Sequence, residues 1–248
     1  IRMTKNFQNS DAIWLDYVDS TNEEIKRRFQ ELSKPTWIIA KKQTKGKGRN
    51  GNVWFSSEGN FSGSLIFFPT VERSLFHLYG FFWGVALHNT LKKIVKSDTD
   101  IRLKWPNDIL IENGKVAGIL LESIETNKKS GVGLIVGVAV NLNSAPSFAD
   151  NSVLKYNTQC VANFVNDKID ILSFFKTFND ELIKLEAKIE EKRLHNILSI
   201  WETKSYKKGS TIKYFGKEGE IKEGIFLGLD EVGGLIIGEN SGEKKIYS

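Results

Sequence analysis

Segments with apolar residues every three or four positions alternate along the chain with short continuous apolar runs, a pattern that predicts helices packed on a sheet. Ser20-Thr21-Asn22-Glu23 has the form of a capping box. Ile25, Phe29 and Leu32 follow at helical spacing, and Pro35 ends the element. Residues 37–40 predict a short buried strand and residues 64–68 a second. After Ser74 the pattern predicts a long helix whose inward stripe is Leu75, Leu78, Phe82, Val85 and Leu91. Residues 101–105 predict a strand that stops at Pro106, because proline has no N–H to continue a ladder. Residues 109–111 and 116–121 flank Asn113-Gly114, a strong hairpin signal, and residues 132–142 predict a further strand.

One helical region is predicted from about residue 169 to 201, with Leu172, Phe175, Phe178, Leu182, Leu185 and Ile189 inward and mixed charges outward. Beyond residue 204 the texture changes to short β-rich runs at 211–215, 220–227, 234–238 and 244–247, broken by glycines. That spacing predicts a small β-barrel. The expected architecture is α+β: a mixed, mostly antiparallel sheet packed with helices over residues 1–204, and the small barrel over 205–248.

With 40% apolar and 26% charged residues over 248 positions, the chain can bury a sizeable core, which excludes disorder. Cys160 is the one cysteine, so no internal disulfide and no all-cysteine zinc site is possible. His77, His88 and His195 show no metal-ligand spacing. The apolar stretch 75–91 is interrupted by His77, Gly80, Gly84, His88 and Asn89, which predicts a buried helix and no membrane span. No signal segment opens the chain, and the expected compartment is the cytoplasm. The net charge of +5 invites a polyanionic partner without naming one.

Much of that charge sits in one place. Lys41, Lys42, Lys45, Lys47 and Arg49 alternate with Gly46, Gly48 and Gly51. Gly46 to Gly51 satisfies the spacing of a dinucleotide fingerprint, yet residues 52–59 carry no helical stripe, and Asn52-Val53 replaces the Lys-Ser/Thr pair of a phosphate-binding P-loop. What remains is a loop whose backbone N–H groups can approach an anion and whose cations can neutralise it, or else a plain solvated loop. Lys104-Trp105-Pro106-Asn107-Asp108 brings a rigid turn and polar side chains to the end of a strand, where sites form and where Asn and Asp also simply close turns. Lys115 begins the return strand of the hairpin and is expected on the face of Ala117 and Ile119. Gly137, Ala139 and Asn141 alternate with valines and line one surface, a floor for a flat ligand or a close strand crossing.

In this order, Asp19 to Asn22, Gln43-Thr44, Gly46 to Trp54, Lys104 to Asp108, Lys115 to Leu120 and Gly137 to Asn141 resemble the catalytic domain of the biotin protein ligases. The likeness spans about residues 16–143 by motif and reaches the end of the chain by layout. It implies a class II synthetase-like α+β fold with an SH3-like C-terminal barrel. It also implies a reaction in which biotin and ATP form biotinyl-5′-adenylate and the biotinyl group passes to a lysine of a biotin carrier domain of a biotin-dependent carboxylase. By resemblance, Ser20, Thr21, Asn22 and Gln43 hold the ureido ring and its surroundings. Gly46, Lys47, Gly48 and Arg49 fold over biotin and the phosphates, and Gly118, Gly137 and Ala139 line the pocket. Lys115 meets the carboxylate and the adenylate phosphate. Trp54, Asn107 and Asn141 join Lys47, Arg49 and Lys115 on the ATP side, and Arg49, Lys115 and Asp108 are the catalytic set, with Asp108 at the acceptor lysine.

Mg²⁺ is expected with ATP, held by phosphates and water, and no protein metal site is expected. The chain departs from the family pattern at Lys47 and Asn52, where arginine is usual, and at Ala139, where glycine is common. Lys41, Lys42 or Lys45 is expected to compensate for Asn52. A monomer or homodimer without membrane attachment is implied. DNA binding is not expected, because about 18 residues precede Asp19, too few for a helix-turn-helix domain. A lipoate or octanoyl transfer enzyme of the same fold and a basic nucleic-acid-binding protein are the competing readings.

Overall fold

The computed structural model describes residues 7–125, 131–146, 157–189, 193–215, 220–240 and 242–247. The chain forms β1 (Asp11–Val18), α1 (Thr21–Arg28), β2 (Thr36–Gln43), β3 (Phe61–Phe67), α2 (Leu78–Ile94), β4 (Ile101–Lys104), β5 (Asp108–Ile111), β6 (Gly114–Glu125) and β7 (Val132–Val140). Then come α3 (Ile171–Lys188), α4 (Asn196–Glu202), β8 (Thr211–Phe215), β9 (Ile221–Leu229), β10 (Leu235–Glu239) and β11 (Gly242–Ile246). One sheet has the order β1-β2-β3-β7-β6-β5-β4, with β1 and β2 parallel and the other neighbours antiparallel. A second antiparallel sheet, β11-β10-β9-β8, stands where the small barrel was expected.

The central strands are apolar on both sides because both sides are covered. Trp37, Ile39, Phe61, Leu65, Val136 and Val138 meet the side packed by α2, α3 and α4, while Ile38, Ile66 and Ile135 meet Ile25 of α1 and Phe29 just after it. The core continues without a break into the second sheet through Trp201, Ile212, Tyr214, Phe226 and Leu235.

Several local expectations change. β1 is a half-exposed edge strand that the apolar pattern did not single out. α2 begins at Leu78 and is buried nearly all round, so the predicted stripe was only part of its contact surface. The helix expected over 169–201 is two helices, α3 and α4. The hairpin turn is Glu112-Asn113, both with positive φ (47° and 63°), one residue before the expected Asn113-Gly114. The glycine breaks expected at 216 and 219 lie outside the described residues. Among the described residues no helix is long and apolar enough to cross a membrane.

α1 is only eight residues long and covers β2, β3 and part of β7. The same face of β6 and β7 beyond it is left bare, and that gap is the site.

Candidate active site

A cavity of about 830 Å³ occupies this gap. Its floor is Gly118, Leu120, Gly137 and Ala139. Its walls are the start of α1, loop residues 47–55, the turn Lys104 to Asp108, and Tyr214, Phe215, Ile246 and Tyr247 of the second sheet.

One end is a hydrogen-bonded polar cluster. The capping box does not form there: Ser20 makes no side-chain cap. Instead Gln43 reaches across from β2, and its Oε1 accepts from the Thr21 N–H at 2.8 Å and from Thr21 Oγ1 at 3.1 Å. Thr21 Oγ1 lies 2.6 Å from Ser64 Oγ, which donates to Asn22 Oδ1 at 2.5 Å. Asn22 Nδ2 donates to Glu122 Oε2 at 2.7 Å. Gly137 makes this cluster possible, since a Cβ there would stand 2.4 Å from Asn22 Oδ1.

The basic loop is a short antiparallel ribbon. Trp54 N–H donates to the Gly46 carbonyl at 2.9 Å, Gly48 N–H donates to the Asn52 carbonyl at 2.7 Å, and the tip turns at Asn50 and Gly51 with φ of 55° and 75°. Gly46 does not line the cavity; its role is close approach, because a Cβ would meet the Trp54 carbonyl at 2.4 Å. Lys47 lines the cavity edge while its Nζ pairs with Glu23 at 2.9 Å. Asn52 spends its amide inside the loop, donating to the Arg49 carbonyl at 2.8 Å.

The other end is cationic. Arg49, Lys104 and Lys115 surround Asp108, with Lys115 Nζ 2.6 Å from Asp108 Oδ1. Burial pushes the Arg49 guanidinium and the Lys104 ammonium below their ordinary pKa values, and Asp108 offsets this in both. Three cations against one carboxylate, partly out of water, favour an anionic ligand. Lys104 is the extra cation: Lys41, Lys42 and Lys45, expected to compensate for Asn52, do not line the cavity, and Lys41 pairs with Asp16.

Lys115 reaches this end because of a β-bulge. Leu110 pairs with Lys115 but Ile109 pairs with Ala117, so Val116 is the extra residue. Val116 and Ala117 both turn to the core. Lys115 therefore sits on the face of Gly118, not of Ala117 and Ile119 as strict alternation predicts; a Cβ on Gly118 would lie 3.6 Å from its Nζ. The Trp54 ring stacks 5.6 Å from the same Nζ. Asn107 pins the cis Trp105–Pro106 turn to β6, its Nδ2 donating to the Ile119 carbonyl at 2.6 Å and its carbonyl accepting from the Ile119 N–H at 3.0 Å. Asn141 Nδ2 donates to the Gln159 carbonyl at 3.2 Å, and its buried Oδ1 has no hydrogen-bond partner among the described residues.

A polar cluster at the start of α1, a glycine-floored sheet and a cationic turn thus form one pocket within a segment that, over residues 14–141, matches the profile of the biotin/lipoate A/B protein ligase family. The chain belongs to this family. The ligase is 30% identical over 230 residues to the biotin–[acetyl-CoA-carboxylase] ligase of Paracoccus denitrificans, covering 92% of this chain and 94% of that protein. It is 32% identical over 218 residues to a bifunctional ligase/repressor of Bacillus subtilis, covering 86% of this chain and 64% of that protein. A biotin protein ligase from Aquifex aeolicus, solved in complex with biotin and ATP, superposes with a TM-score of 0.78 at 29% identity, covering 96% of each chain.

All the sequence-derived site residues except Gly46 line the ligase's cavity. Ser64, Glu122 and the aromatic side chains of the second sheet were not among them, and Lys104 was singled out only as part of the Lys104 to Asp108 run, with no role of its own. Ser64 carried a signal, one of two hydroxyls, with Ser62, in a strand buried along its whole length; Glu122 carried none, since a charge near a strand end ordinarily faces solvent.

Proposed function

We propose that this cavity joins biotin to ATP and hands the biotinyl group to a carrier lysine. The chain is a biotin–[acetyl-CoA-carboxylase] ligase, forming biotinyl-5′-adenylate before transfer. The observation that carries the assignment of the site is the joining, in one cavity of about 830 Å³, of a neutral hydrogen-bonding end and a cationic end. That volume lies within the usual range for ligand pockets.

In this reading the ureido ring of biotin lies against Thr21, Asn22 and Gln43, above Gly137, with Ser20 and Ala139 beside it. The carboxylate points to Lys115 and Arg49. ATP lies toward Asn107, Trp54 and Asn141, whose unpartnered Oδ1 is an acceptor for an amino or hydroxyl group. In the first step a carboxylate oxygen attacks the α-phosphorus, the bond to the bridging oxygen breaks and pyrophosphate leaves. Arg49, Lys104 and Lys115 neutralise the charge that gathers on the phosphate oxygens. In the second step the neutral amine of the carrier lysine attacks the acyl carbon and AMP leaves; Asp108 faces the incoming amine and takes its proton. No protein nucleophile is needed, and positioning in a water-poor cleft supplies the rate. Loop residues 46–54 cover the intermediate.

Mg²⁺ belongs to the nucleotide. Among the described residues no group of three His, Cys, Asp or Glu gathers, and the carboxylate of Asp108 is engaged by Lys115, so the residues present do not fit a dedicated protein site. Residues 1–204 form the catalytic unit and 205–248 the barrel that completes one wall. The ligase acts in the cytoplasm as a monomer or homodimer on the carrier domain of a biotin-dependent carboxylase, without DNA.

Incubation with ATP, Mg²⁺, biotin and a biotin carrier domain, followed by mass measurement, is expected to add one biotinyl group to the carrier. Lipoate in place of biotin is expected to add nothing, and preference for lipoate would overturn the assignment. Lys115→Ala is expected to slow pyrophosphate release by about a hundredfold or more, through loss of one charge-stabilising donor. Near-normal release would refute the role of Lys115.

A further inference from the structure

Asn22 sits at the polar end of the cavity, and an amide there can face a ligand in two opposite ways: oxygen inward, accepting, or nitrogen inward, donating. The structure selects one. Glu122 Oε2 accepts from Asn22 Nδ2 at 2.7 Å, and Ser64 Oγ reaches Asn22 Oδ1 at 2.5 Å from the opposite side. A carboxylate has no proton to give, so it can bind only the nitrogen of the amide. Ser64, by contrast, can donate or accept and does not choose. The direction of the Asn22 amide is therefore imposed by Glu122.

Glu122 is itself held in place. Its other oxygen, Oε1, pairs with Lys26 Nζ at 2.7 Å, and Lys26 pairs in turn with Glu23 at 3.0 Å. Glu23 then pairs with Lys47 of the covering loop at 2.9 Å. Lys26 lies one helical turn after Asn22 and reaches the same carboxylate, so α1 grips Glu122 with an amide and an ammonium together.

We propose that Glu122 is a positioning residue for biotin: by accepting from Asn22 Nδ2 while braced by Lys26, it turns Asn22 Oδ1 toward the ureido N–H groups. This rests on the reading of the cavity as the biotin and ATP site. Glu122 does not line the cavity and acts only through Asn22. Its neutral isostere offers both a donor and an acceptor, so either orientation of the Asn22 amide becomes acceptable.

The test is steady-state kinetics of carrier biotinylation with Glu122→Gln, Asn22→Ala and the double variant. Glu122→Gln is expected to raise the KM for biotin about tenfold, the worth of one charge-assisted hydrogen bond, with kcat and the KM for ATP within about twofold of the parent. In the Asn22→Ala background the same change is expected to move the biotin KM by less than about twofold, because two residues acting as a unit are not additive. A merely structural role would lower the melting temperature and alter both KM values together, and that result overturns the proposal. So does an undiminished effect of Glu122→Gln in the absence of the Asn22 amide. The parent protein separates the two layers: if it fails to use biotin, the reading of the cavity falls, and if it biotinylates the carrier while Glu122→Gln leaves the biotin KM unchanged, only the role of Glu122 falls.

Discussion

Replacing Gly137 by alanine adds a single methyl group to the floor of the cavity. The new Cβ would stand 2.4 Å from Asn22 Oδ1, 3.1 Å from its Cγ and 3.3 Å from its Nδ2, about 1 Å inside ordinary contact for the first of these. Asn22 cannot step aside cheaply, because Ser64 and Glu122 hold its two amide atoms. Two outcomes compete. If Asn22 stays, overpacking costs about 1–3 kcal/mol; if it turns away, it gives up one neutral and one charge-assisted hydrogen bond, about 2–4 kcal/mol together. The cheaper route sets the loss of stability at about 2 kcal/mol. Either route displaces the acceptor that faces the ureido group, so the KM for biotin is expected to rise by more than about tenfold. The assay is carrier biotinylation at varied biotin with saturating ATP, alongside thermal unfolding. A Gly137→Ala protein whose biotin KM and melting temperature both match the parent would refute the account of how the floor, Asn22 and Glu122 fit together.

Two further outcomes follow from the same structure. Arg49→Gly removes a partly buried guanidinium from the covering loop while leaving Lys104 and Lys115 in place, so adenylate formation is expected to persist while the intermediate escapes and labels non-carrier lysines; retention equal to the parent's would count against this role. His88 is buried on α2, and burial lowers its pKa from 6.5 to about 4. The unfolded chain takes up a proton near pH 6.5 whereas the folded chain resists until about pH 4, so stability is present above pH 6.5 and falls as the pH drops through that window, by about 3 kcal/mol at most. His88→Leu is expected to flatten the decline in melting temperature between those pH values, and an unchanged slope would show that other groups set it.

The sequence by itself determined the class of fold and the family, and all but one of the site residues it singled out line the cavity. It could do so because those signals are local. Apolar spacing sets which segments become helices and strands. The glycines at 46, 48 and 51, the Lys104 to Asp108 turn and the small residues at 137 and 139 are each a signal contained within a few neighbouring positions. Tertiary structure decided what those residues do to each other, because the deciding contacts join distant parts of the chain. The helix predicted to cap itself with Ser20 and Glu23 is capped instead by Gln43, 22 positions beyond Thr21, leaving Glu23 for Lys26 and Lys47. Asn22 is oriented by Glu122, 100 positions away. Lys115 enters the cavity only because the hairpin register slips by one residue at Val116, which side-chain alternation along a single strand cannot reveal. One wall, made by Tyr214, Phe215, Ile246 and Tyr247, comes from a region whose own sequence carries no mark of the site, since its place is set by burial against Trp201 and Phe81 rather than by any pattern within it.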